Sequence, residues 1–77
     1  MIKKYNVVGR PFAFTVFDNV EQEHRQLAAQ KGDGVTLNTE SGAVDIYVGN
    51  KVFPSLNYPQ SVYNAVEQGI LEEFIRE

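Results

Sequence analysis

Residues 35–53 (VTLNTESGAVDIYVGNKVF) admit few local structures. Apolar and polar side chains alternate along 35–39 and again along 43–48, the period of a strand with one buried face. Between them Glu40, Ser41 and Gly42 form a short hairpin loop, and Gly49-Asn50 marks a second tight turn. A third short strand, 51–53, follows, and Pro54 is expected to end it because proline donates no ladder hydrogen bond. The stretch is therefore a three-stranded meander with Val44, Ile46 and Val48 on one face and Asp45 and Tyr47 on the other.

Upstream, residues 2–8 are β-prone, and Gly9-Arg10-Pro11 marks a turn. Residues 12–17 form a clearer strand, with Phe12, Phe14 and Val16 pointing one way and Ala13, Thr15 and Phe17 the other. Asp18 and Glu21 have the spacing of a capping box, and Val20, His24, Leu27 and Ala28 recur at helical spacing. Lys31 suits the negative end of a helix dipole and Gly32 a C′ position, so the pattern predicts a helix over 18–31. A second helix is predicted from Pro59, with Val62, Val66, Ile70 and Phe74 four apart and Tyr63, Leu71 and Ile75 widening the stripe. Gly69 falls inside that pattern, where it costs about 1 kcal/mol relative to alanine and is expected to admit close packing.

The predicted order is β-β-α-β-β-β-α. Short connections favour antiparallel neighbours. The expected fold is α+β: an antiparallel sheet of four to five strands with two helices packed on one face. That face would carry Phe12, Phe14, Val16, Leu37, Val44, Ile46 and Val48, and residues 1–77 would form a single compact domain. The apolar share of 43% and aromatic share of 12% supply enough core-forming residues to argue against disorder.

The charge is uneven. Residues 1–31 carry Lys3, Lys4, Arg10, Arg25 and Lys31 against Asp18, Glu21 and Glu23, a net +2. The remainder carries Lys51 and Arg76 against seven acids, a net −5. No clustered basic face emerges, so nucleic acid is not an expected partner. No cysteine is present, which excludes disulfide scaffolds, thiolate zinc sites and cysteine nucleophiles, and a reducing, cytoplasmic setting is expected. No apolar run has the roughly 18–20 residues of a membrane span.

Catalytic constellations are hard to assemble from these residues. His24 is the single histidine, and Ser41, Ser55 and Ser61 lie in or near turns without a nucleophile-elbow context. The stretch 31–34 (Lys-Gly-Asp-Gly) lacks the alternating oxygen ligands and terminal glutamate of a calcium loop. It also lacks the strand-to-helix setting of a phosphate cradle. The expectation is a protein without enzymatic activity, cofactor or metal.

What remains is surface. Phe17 and Tyr47 would stand on the sheet face away from the helices. Residues 53–59 (Phe-Pro-Ser-Leu-Asn-Tyr-Pro) would strap the sheet to the last helix, with Leu56 plugging a gap and Tyr58 stapled onto Val62 or Tyr63. Alternatively, the strap is a rigid lip that displays Tyr58. The expected function is a small protein-interaction module binding a larger protein: an inhibitor, adaptor or regulatory subunit, of the size common among phage and mobile-element accessory proteins. Phe17, Tyr47, Phe53 and Tyr58 are its candidate contacts, and a homodimer is one arrangement. The alternative is a protein sequestering a small molecule such as a nucleotide at a homodimer interface. There Phe17, Tyr47 and Tyr58 would stack on the base, and Arg10, Arg25 or Lys51 would neutralise phosphate.

Overall fold

The computed structural model describes residues 1–74 and places them in seven strands and one helix. In chain order these are β1 (Ile2–Val7), β2 (Phe12–Asp18), β3 (Glu23–Ala29), β4 (Gly34–Asn38), β5 (Val44–Val48), β6 (Lys51–Ser55), α1 (Pro59–Glu67) and β7 (Leu71–Glu73). β6, β5, β4, β1 and β7 form a five-stranded sheet in that order, antiparallel throughout, while β2 and β3 form a separate hairpin. The α+β character and the antiparallel sheet match the sequence-based expectation, but one helix is present where two were predicted, and the order differs.

The core lies between the inner face of the large sheet and a second layer made of the hairpin and α1. Tyr5, Val7, Val35, Leu37, Val44, Ile46 and Leu71 come from the sheet; Phe12, Phe14 and Ala29 come from the hairpin; Val62 and Ala65 come from α1. Phe12 and Phe14 thus face the meander across the core instead of lying beside it. Burying each of the larger side chains is worth roughly 1.5–3 kcal/mol, so these few residues carry most of the apolar stabilisation.

The predicted helix over 18–31 is instead the turn and second strand of the hairpin. The Asp18 carboxylate does accept from the backbone N–H groups of Val20 (2.9 Å) and Glu21 (3.1 Å), as a cap would. The chain then reverses at Gln22, whose φ is 56°, and β3 pairs with β2 from Phe12↔Ala29 to Asp18↔Glu23. Arg25, Leu27 and Ala29 alternate on the inner side, and pairing with the phenylalanine-rich β2 overrides the helix preference of the Glu, Arg, Gln and Ala side chains.

The last helix is also shorter than predicted. Gly69 adopts φ 76°, and the N–H of Ile70 bonds to the carbonyl of Ala65 (2.9 Å) while that of Gly69 bonds to Val66 (3.1 Å). This is a Schellman motif, so Gly69 is a C′ residue and not a packing gap inside the helix. Ile70, Leu71 and Phe74 leave the helical stripe; β7 pairs with β1, and Phe74 N–H bonds to the Lys4 carbonyl at 2.7 Å. Ile75, the last residue of the predicted stripe, lies outside the described residues. The close approach that Gly69 was expected to allow occurs at Gly9, where a Cβ would stand 2.6 Å from the Gly69 carbonyl oxygen.

β6 runs through Pro54 to Ser55 instead of stopping at Phe53. The bond from Asn38 N–H to the Ala43 carbonyl sets the alternation of the ladder, and it leaves the Asp45↔Pro54 pair without mutual hydrogen bonds. The missing N–H of Pro54 therefore points off the sheet edge and costs no bond. Beyond β6 the strap lies along β2. Leu56 N–H donates to the Thr15 carbonyl (2.8 Å), and the Asn57 amide accepts from Thr15 N–H (3.1 Å) and donates to the Ala13 carbonyl (3.3 Å). The Asn57 side chain thereby imitates a backbone peptide and joins the two sheets.

Two outcomes are expected from these contacts. Gly9→Ala should lower stability by about 1–3 kcal/mol in urea denaturation, since backbone must shift to admit the methyl group. Bonds from the Glu21 and Val20 N–H groups, with Arg25 nearby, hold the Asp18 carboxyl below its ordinary value of 3.8 despite opposing desolvation. The folded state thus binds this proton more weakly than the unfolded chain. The turn's contribution to stability is complete above pH 3.8 and is lost as pH falls through the lower folded value. Amide NMR signals of Val20 and Glu21 should track that titration, and Asp18→Ala should abolish it.

Candidate functional site

The outer face of the large sheet meets no second layer among the described residues. Strand register sets two rows across it: Val52, Tyr47, Gly34, Asn6 and Glu72, and beside them Pro54, Asp45, Thr36, Lys4 and Phe74. Tyr47 is 41% exposed and Phe74 53% exposed. Both line a depression of about 350 Å³ over Gly34 and Thr36, with Lys4 and Asn6 completing its wall. A Cβ at Gly34 would lie 3.7 Å from the Tyr47 Cβ, an ordinary contact, so the fold does not require glycine there. Its missing side chain leaves the floor between the two rings open.

The four aromatic residues singled out from the sequence are not gathered on one surface. Tyr47 stands in the depression. Phe17 lies on the outer side of the hairpin, edge-on to His24 with ring centroids 5.3 Å apart. Because hairpin and sheet pack through their inner faces, Phe17 and Tyr47 point away from each other. Phe53 is turned inward against Phe14, with centroids 6.1 Å apart. Tyr58 precedes the helix and is 79% exposed, not the buried staple expected; among the described residues its carbonyl is engaged by the Ser61 N–H (3.0 Å) and Oγ (2.7 Å). Leu56, the expected plug, is 51% exposed. The 53–59 segment is thus a strap through Phe53 and Asn57 and a displayed surface through Leu56 and Tyr58.

The basic residues of the nucleotide alternative are also dispersed. Arg10, in the β1–β2 turn, donates to Gln68 Oε1 at 2.7 Å. Arg25 on β3 is held by Asp18 at 2.9 Å and Glu23 at 3.3 Å. Lys51 opens β6 and is exposed. The base-stacking trio of Phe17, Tyr47 and Tyr58 does not form a cradle within one chain.

Each of the three serines makes a local hydrogen bond. Ser41 Oγ accepts from Ala43 N–H (3.3 Å), Ser55 Oγ accepts from Asn57 N–H (3.1 Å), and Ser61 donates to the start of α1 (2.7 Å). Among the described residues, no three His, Cys, Asp or Glu side chains converge as a metal site. No helix among them is long and apolar enough to cross a membrane. Burial, with the nearby Glu73 carboxylate and Tyr63, raises the pKa of Tyr5, whose ring belongs to the core beneath the depression.

Comparison adds no relative. No protein-family model, curated protein or solved structure matches this chain.

Sequence reasoning found Tyr47 but missed Phe74, Gly34, Lys4 and Thr36. Phe74 was assigned to a helix; the signal against that was Gly69, since a glycine late in a helical pattern is also a C′ signal. If the floor over Gly34 is open only for want of a side chain, Gly34→Leu should fill it at a cost of less than about 1 kcal/mol in thermal denaturation. NMR shift changes should centre on Tyr47, Thr36 and Phe74.

Proposed function

We propose that the protein is a binding module without catalysis of its own, which docks a larger protein against the outer face of its five-stranded sheet. The observation that carries this reading is the pairing of Tyr47 and Phe74 on either side of the open floor at Gly34. Two exposed rings bordering a recess, with Lys4, Thr36 and Asn6 around them, have the composition of an interface centre inside a polar rim. A protruding apolar side chain on the partner would seat between the rings, and the amide and hydroxyl groups of Asn6 and Thr36 would meet polar groups beside it. An inhibitor, adaptor or regulatory subunit would work in this way.

A second reading rests on the same recess. Its volume of about 350 Å³ falls in the range of small-ligand sites, and Lys4 would supply the cation beside two stacking rings. The ligand would then be a small planar anion held by one chain, through residues other than Arg10, Arg25 and Lys51.

Affinity capture with quantitative mass spectrometry, followed by titration of the captured partner, separates these readings. Tyr47→Ala and Gly34→Leu should each weaken partner binding by about tenfold or more, while Tyr58→Ala leaves it within about twofold. A partner that ignores both recess variants rejects the docking site. Bound small-molecule mass in native spectra of the wild-type chain, lost in Gly34→Leu, would favour the second reading.

A further inference from the structure

The two sheets present four strand edges, and three are blunted against further pairing. β6 turns Pro54 outward, β7 has three residues, and β2 is covered by Leu56 and Asn57. β3 differs. Thr15 turns its N–H and C=O toward the strap, so the Thr15↔Gln26 pair is one without mutual hydrogen bonds. Gln26 therefore turns its own N–H and C=O away from β2, and His24 and Ala28, two positions to either side, do the same. None of these six groups has a partner among the described residues.

The free stretch has a stop at each end. At Gln30, the N–H already donates to Asp33 Oδ2 (2.7 Å) and the carbonyl accepts from Asp33 N–H (2.9 Å). At Gln22, the backbone leaves the extended region at φ 56°. The stops lie four residues either side of Gln26, so the pattern is the same read from either end.

We propose that this edge pairs with the same edge of a second copy, antiparallel about a two-fold axis through Gln26, to give a continuous β2-β3-β3-β2 sheet. An identical strand answers each free group with a free group: Gln26 meets Gln26 of the second copy, and His24 meets its Ala28. Shifting the register by two residues one way sets Ala28 against the left-handed Gln22 and Arg25 against Arg25. Shifting it the other way sets His24 against the occupied Gln30. In the symmetric register Arg25 lies opposite Leu27, which is 37% exposed in the single chain and would be covered by the arginine's aliphatic stem. Arg25, already paired with Asp18 and Glu23, brings no unpaired like charge to the axis.

The absence of cysteine makes the register testable in the full chain. Gln26 residues facing each other would have Cα atoms about 5.5 Å apart, within disulfide range. Two Ala28 residues would be offset by four residues, about 13 Å. Sedimentation at about 0.1 mM, enough to populate a micromolar dimer, should show a dimer. Under mild oxidation Gln26→Cys should form the covalent dimer about tenfold or more faster than Ala28→Cys. Gln26→Pro should give a monomer with its sheet circular dichroism retained, because the N–H it removes serves only the seam. A wild-type monomer at that concentration would overturn the proposal. So would equal cross-linking rates for the two cysteine variants.

Discussion

The hydrogen bonds from Leu56 and Asn57 to the edge of β2 decide how the two layers of this protein meet. A sheet of five strands and a two-stranded hairpin could face each other at many angles if apolar contact alone held them, because burial is not directional. The strap fixes one arrangement by pairing the backbone of Thr15 and Ala13 with a neighbouring N–H and a side-chain amide. The position of Phe14 against Phe53, and of Phe12 over the core, follows from that splice. It also hides a strand edge that would otherwise be open. In a chain of 77 residues without disulfides, a polar fastening of this kind supplements a small core.

The meander was legible because its signals agree at every level. Alternation, turn residues and β-branched side chains all indicate the same thing from Val35 to Val48. The hairpin was misread because its signals conflict. Asp18 can accept the same backbone N–H groups in a helix cap and in a turn, and Glu23, Arg25, Gln26 and Ala28 favour helix in isolation. Leu27 and Ala29 fit the strand period equally well, yet only the presence of β2 as a pairing partner decides between the two. At the other end, Gly69 carried the correct information. The apolar spacing continued past it through Ile70 and Phe74 and concealed the break.

The candidate site was less legible than the fold for a related reason. Tyr47 could be placed on an outer face from strand alternation alone. Its neighbours come from β1, β4 and the residue that follows β7, and their adjacency depends on strand order. Phe74 reaches the recess only because β7 returns to pair with β1, and Gly34 matters there for the side chain it lacks. A single sheet would set Phe17 beside Tyr47, and Tyr58 is a candidate through the strap; two opposed layers and an exposed helix start separate them.

The position of β1 bears on how the protein folds. This strand lies inside the large sheet, flanked by β4 on one side and β7 on the other. Its partner on the second side is supplied by residues 71–74, more than sixty positions later in the chain. β1 can close one ladder with β4 across a shorter loop, but its other backbone groups stay unpaired until residues 71–74 return to it. Pairing over such a separation is slow for entropic reasons. A chain in which residues 71–74 have not yet docked has an exposed strand and an incomplete core, and in that form it is most open to mispairing or to capture by a chaperone.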